Sequence, residues 1–382
     1  MINPVLAEVE RSGFVESRHR GAAVGLAAGG AVAVRAGDPG VPVFPRSANK
    51  PMQAAAMLRS GLRLDGELLA LAAGSHSGED FHVEGVEKIL AGTGLGAADL
   101  RCPESWPLDP AKQQDVARAG GGPSRLRMNC SGKHAAMLAT CVTVGWPTDS
   151  YLDPDHPLQV AVREAVEELA GETVQAVGVD GCGAPLFALT LMGVARAFRA
   201  IALAAPGTPE RRVADAMRTH PQWTSGTRRE ERRLMDAVPG LLVKCGAEGV
   251  DAFAFADGRA GAIKIDDGAM RARTPVTVAL LRALGVHEGG TAERTTAETA
   301  DQPRTEQAGA TQAGADRLGA EQAGAAQAGV EQGGVEQAGD DNTVGGKPVV
   351  DKAALDELSI VEIRGGGSVV GAIRPPSGLF TC

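Results

Sequence analysis

Apolar and polar positions divide the 382-residue chain into distinct stretches. Ala22 to Leu26 and Ala31 to Arg35 are short apolar-rich runs separated by Gly29-Gly30, which predicts two strands joined by a turn. Val41 to Phe44 is strand-like as well. Helical spacing follows in Met52 to Leu62, Gly66 to Ala73, Ser131 to Val144, Leu158 to Leu169 and Leu186 to Phe198, several of them ending in glycine. Leu241 to Lys244, Ala252 to Phe255 and Ala262 to Ile265 return to strand character, with Asp257-Gly258 as a turn. After a helical turn or two at Lys352 to Leu358, Ile360 to Arg364 and Ser368 to Ile373 read as strands around Gly365-Gly366-Gly367. Strands at both ends with helices between them predict an α/β fold in which N- and C-terminal strands share one antiparallel sheet.

One segment, 286–346, breaks these patterns. Glutamines at 307, 312, 322, 327, 332 and 337, with Arg317 in the missing place, set a period of five around Gln-Ala-Gly. Five matches neither the 3.6 of a helix nor the 2 of a strand, so successive repeats present no common face to a core. The segment is expected to be disordered. Because a strand pair follows it, it is expected to interrupt one domain made of 1–285 and 347–382, and not to link two domains.

The segment also explains the charge. It holds eleven acidic residues and three arginines, and so carries -8 of the formal -9. The remainder is almost neutral, which argues against a general nucleic-acid binder. No stretch approaches the roughly 18 apolar residues of a membrane span, and Met1-Ile2-Asn3-Pro4 lacks the basic start of a signal peptide. Cys102, Cys130, Cys141, Cys182, Cys245 and Cys382 are thinly spread without a CxxC pair. Reduced thiols or metal ligands in a cytoplasmic protein are expected.

Three short motifs can carry chemistry. In Ser47-Ala48-Asn49-Lys50, a hydroxyl and an amine three residues apart share one face of a helical turn. A lysine with a lowered pKa can take a serine proton there. Pro51 disfavours helical geometry at Lys50, so a helix is expected from Pro51 with the Ser-Lys pair on the turn entering it. The plainer reading makes Ser47 a helix cap and Lys50 a solvated charge. Ser75-His76-Ser77-Gly78 supplies a second hydroxyl-bearing loop, and Lys244-Cys245-Gly246 ends an apolar strand. Ser-x-x-Lys, Ser loop and Lys-x-Gly occur in the order used by serine acyl-transfer enzymes of the penicillin-binding class. Separately, Cys130-Ser131-Gly132-Lys133-His134 and Asp180-Gly181-Cys182-Gly183 hold thiols, an amine and an imidazole that suit zinc, although buried inert cysteines fit the spacing equally well. Asp153-Pro154-Asp155-His156-Pro157 reads as a turn and helix start, and Gly120-Gly121-Gly122 as a loop without the Gly-Lys-Ser/Thr ending of a phosphate cradle.

Taken jointly, residues 46–54, 75–82, 129–138, 153–159 and 180–182 resemble, in order, the signature blocks of the bacterial asparaginase II family of the Rhizobium etli type. The resemblance runs from about Ala7 to Gly285 and resumes in the last strands. It implies a β-lactamase-like and penicillin-binding-protein-like fold, hydrolysis of L-asparagine to L-aspartate and ammonia, and a homodimer. By the same resemblance Ser47 pairs with Lys50 and Ser75 with Lys244 as catalytic residues, and Cys130, Lys133 and Cys182 hold a zinc ion. Arg46, His134 and Asp180 are expected around the substrate. A glutaminase or other serine amidohydrolase, a hydrolase using zinc-bound hydroxide, and an interaction module acting through the repeat stay open as alternatives.

Overall fold

The computed structural model describes residues 2–286, 343–344 and 347–380, so the repeat lies outside the described residues. The N-terminal strands are β1 (Val5–Arg11), β2 (Phe14–Leu26), β3 (Val32–Ala36) and β4 (Pro42–Val43). Helices α1 (Lys50–Arg59), α2 (Gly66–Ala72), α3 (Asp80–Ala91), α4 (Pro110–Arg118), α5 (Ser131–Val144) and α6 (Pro157–Ala170) follow. Next come β5 (Ala176–Val179), β6 (Pro185–Thr190), α7 (Leu191–Leu203), α8 (Pro209–Thr219), α9 (Pro221–Thr224) and α10 (Glu230–Ala237). The chain then forms β7 (Leu242–Gly246), β8 (Val250–Ala254), β9 (Ala260–Ile265) and α11 (Met270–Ala283). After a short bridge, β10 (Thr343–Val344) with β11 (Lys347–Pro348), it ends in α12 (Lys352–Leu358), β12 (Val361–Gly365) and β13 (Ser368–Arg374).

The main sheet runs β12-β13-β1-β2-β9-β8-β7, antiparallel throughout, with β3 added on β2. N- and C-terminal strands therefore share one sheet, with the helical region between them in the chain, as the sequence pattern predicts. Both faces of the sheet are covered. Ala22, Val24 and Leu26 of β2 face α7 and the helical core beyond it, whereas Ala23, Val243 and Phe253 face the other way toward α10 and α11. This explains why β7 and β8 are buried at every residue instead of alternating.

The structure alters three readings. β1 and the first half of β2 were not expected, because Phe14 to Arg20 alternates with charged and polar residues and is half exposed. Leu186 to Thr190 is strand β6, not the start of a helix. It is buried on both faces, so no alternation reveals it, and the Thr190 hydroxyl accepts from Gly193 N to begin α7 one residue later. Lys50 is helical (φ −59°, ψ −36°) despite Pro51, so α1 begins at Lys50 and only Ser47 sits on the turn.

The end of β7 lies directly against that turn. A Cβ on Gly246 would sit 2.2 Å from the Pro45 carbonyl oxygen and 3.3 Å from Ala48 N. Backbone cannot yield as a flexible side chain can. Gly246→Ala is therefore expected to lower stability by about 2 kcal/mol in urea unfolding; wild-type stability would contradict this packing.

Candidate active site

Ser47 stands on the 3-10 turn Arg46–Asn49 that leads into α1. Arg46 adopts a left-handed backbone (φ 53°), unusual for a residue with a side chain. Its guanidinium donates from Nε to Asp180 Oδ1 at 2.8 Å and lies 3.9 Å from Glu248 Oε1. Those carboxylates fix the residue that precedes Ser47. Ser47 is half-buried and, with Ser75, Asn129 and Gly246, lines a cleft of about 740 Å³.

Ser75 is reached from the other side, in the loop after α2. Its N–H donates to Thr224 O (2.7 Å) and the next N–H, of His76, to Asn129 O (3.1 Å). His76 accepts from Gly78 N at Nδ1 and hydrogen-bonds Ser131 Oγ through Nε2 at 2.8 Å. Burial drives its pKa well below the ordinary imidazole value, so it is a neutral brace for the loop.

Lys50 projects from the start of α1 and is 1% exposed. Its Nζ donates to Ser75 Oγ at 3.0 Å, to Gly74 O at 2.5 Å and to Asn129 O at 3.4 Å. Burial is the largest influence on the amine and lowers its pKa, and the Lys244 and Lys133 ammonium groups add to that; Cys130 and Cys182 pull the other way without reversing it. Lys244, in β7 and fully buried, donates to the Cys245 carbonyl at 2.8 Å. The hydrogen bonds thus do not follow the pairing expected from the resemblance. Lys50 holds Ser75, and the Ser47 hydroxyl has no hydrogen bond among the described residues.

The expected metal ligands do converge. Lys133 donates to Cys182 Sγ at 3.2 Å, and the Cys130 thiol hydrogen-bonds Cys182. All three are buried. The proton stays with Cys130, which donating to Cys182 and burial push up. Cys182 is held far below the usual thiol range by that hydrogen bond and by the Lys133 charge. His134, the next residue, is fully buried; Nδ1 meets the Tyr151 hydroxyl at 2.8 Å, and the imidazole also bonds Cys182. Two thiols and an amine gathered in a dry pocket fit zinc as a donor set. They are not three His, Cys, Asp or Glu side chains, and no such cluster able to hold a metal occurs among the described residues.

Asp180 touches both halves of the site, through Arg46 at 2.8 Å and Cys182 Sγ at 3.8 Å. His156, by contrast, caps α6 by accepting from Leu158 N, as the turn reading of 153–157 requires. Sequence reasoning missed Tyr151, Asn129 and a buried ionic group on α10, Glu231, beside β7. The described cysteines are free thiols, and no described helix is long and apolar enough to cross a membrane.

The family model described as L-asparaginase II matches residues 7–315. No curated protein matches the chain. Among solved structures, the chain is similar to Mglu in its native form in the presence of 4.3M NaCl, with 14% identity, TM-score 0.40, and 70% of this chain and 60% of that chain covered. It is also similar to native Mglu (15% identity, TM-score 0.39, 69% and 63% covered) and to Mglu in its tris and glutamate form (17%, 0.32, 73% and 62%). The chain thus spans less than two thirds of the length of these Mglu chains. The motif blocks at Ser47, Ser75, Cys130 and Asp180 fall inside the matched range, and on that match the chain belongs to the L-asparaginase II family.

Proposed function

We propose that the chain is an amidohydrolase that converts L-asparagine to L-aspartate and ammonia by serine-lysine catalysis. The observation that carries this reading is the buried Lys50 amine 3.0 Å from the Oγ of Ser75, a residue that lines one cleft with Ser47. An amine kept from protonating by burial is a base at moderate pH, and a hydroxyl held against it is a route for a proton. Ser47 Oγ attacks the side-chain amide carbon, and its proton passes through the Ser75 hydroxyl to Lys50. The C–N bond breaks as Lys50 returns that proton to the leaving nitrogen, which departs as ammonia. Water, activated by the same amine, then attacks the Ser47 ester and releases aspartate. The nearby Lys244 amine disfavours protonation of Lys50. Arg46 and Asp180 orient the substrate's backbone groups, and His134 closes that end of the pocket.

Cys130, Lys133 and Cys182 are the residues that would hold zinc. Bound there, the ion would supply a fixed positive charge that suits the substrate's α-carboxylate. A second reading makes Ser75 the attacking serine, because Lys50 bonds Ser75 and not Ser47.

Three outcomes are expected. Ser47→Ala lowers ammonia release from L-asparagine by at least about 10³-fold in a coupled assay; retained turnover with loss only in Ser75→Ala would select the second reading. Because Lys50 must be neutral and its pKa is lowered, kcat/KM rises with pH and levels off below the ordinary lysine value of 10.5; activity still climbing through that value would refute Lys50 as base. Metal analysis of Cys182→Ser shows loss of the zinc that the wild type carries, and unchanged stoichiometric zinc would remove Cys182 from the ligand set.

A further inference from the structure

Behind the cleft lies an ionic group that the reaction above does not use. Glu231, on α10, has no solvent exposure. Its Oε1 accepts the Cys245 thiol and Arg229 (3.3 Å), and lies 3.9 Å from Arg273. Its Oε2 has no hydrogen-bond partner. Arg273, on α11, is already answered by Asp251 of β8 at 2.7 Å, and the other Asp251 oxygen accepts from Thr277 at 2.7 Å. The remaining charged neighbours are Glu230, 3.6 Å from Arg273 and half exposed, and Lys244. Glu231 is thus a buried carboxylate with one oxygen unclaimed, an arrangement that is expensive unless another charge requires it.

Of its cationic neighbours Arg229, Arg273 and Lys244, only Lys244 has no ion pair within 4 Å among the described residues. Its hydrogen bonds go only to the uncharged groups of its neighbour, the Cys245 carbonyl at 2.8 Å and Cys245 Sγ at 3.9 Å. Cys245 therefore sits between the two, giving its thiol to Glu231 and its carbonyl to Lys244. We propose that Glu231 is a positioning residue, which through Cys245 fixes Lys244 beneath the cleft wall that Cys245 forms and supplies the negative charge that its ammonium faces. The inference rests on the serine-lysine reading only for its kinetic consequence. Burial alone would push the Glu231 carboxyl up, but Arg229, Arg273 and Lys244 outweigh it and keep the group ionised.

The test compares wild type with Glu231→Gln, which keeps the shape and removes the charge. In carbon-13-lysine-labelled protein, the Lys244 resonance, assigned with Lys244→Met, titrates lower by about one pH unit or more in E231Q. In the same variant kcat for L-asparagine falls about tenfold with KM nearly unchanged, and the profile, level at alkaline pH in the wild type, falls there as Lys244 gives up its proton. A merely structural role would lower thermal stability but leave the Lys244 titration and the shape of the profile in place, and that result overturns the proposal. If E231Q does not fold, Glu231→Asp, which draws the carboxylate back by one methylene, gives a smaller shift in the same direction; an unshifted Lys244 overturns the proposal there too. A wild type that releases no ammonia, with Lys244 still shifted in the variant, refutes the amidohydrolase reading and leaves the Glu231 assignment standing.

Discussion

The fold converges on one electrostatic constraint, the burial of three lysines. Lys50, Lys133 and Lys244 are 1%, 2% and 0% exposed, and each lowers the affinity of Lys50 for a proton or is itself that group. Removing an ammonium from water is costly, and gathering three multiplies the cost by mutual repulsion. Each is accommodated differently. Lys133 meets the sulfur of Cys182, Lys50 meets carbonyls and a hydroxyl and is driven toward the neutral amine, and Lys244 rests on the Cys245 carbonyl with Glu231 behind it. One neutral amine among charged ones is what base catalysis by lysine needs.

The architecture explains how the three reach one place. Lys50 opens α1, Lys133 lies in the first turn of α5 and Lys244 is in the edge strand β7. A sheet apolar on both faces anchors β7 between the helical region and α10 with α11. Small residues allow the elements to close. Gly132 of α5 lies so near α2 that a Cβ would stand 2.8 Å from the Leu71 carbonyl, which brings the Cys130–Lys133 turn up to the Ser75 loop. Left-handed backbone at residues with side chains occurs at Ser12, Arg46 and Glu248 among the described residues, and at Arg46 two carboxylates, one of them that of Glu248, hold it just ahead of Ser47.

Much of this was legible in the chain. Long amphipathic or wholly apolar helices such as 131–144 stand out by periodicity, and the C-terminal strand pair by its glycines. The motif blocks pointed to Ser47 and Ser75, which line one cleft, and to Cys130 and Asp180, which both meet Cys182. What stayed hidden depends on the third dimension. Which serine a lysine touches is not set by Ser-x-x-Lys spacing, because Lys50 turns into the core toward a loop 25 residues away. Glu231 lies in the run Arg228-Arg229-Glu230-Glu231-Arg232-Arg233, which reads as a solvated helix face. Only the packing of α10 on β7 reveals that one of those charges is fully buried.

The central claim is that a serine in this cleft becomes acylated during amide hydrolysis. Rapid acid quench of wild-type enzyme turning over L-asparagine, followed by peptide mapping, tests it most directly. The account predicts an aspartyl adduct on the peptide that contains Ser47. Turnover with no adduct on that peptide, under conditions where the ester is stable, would contradict it.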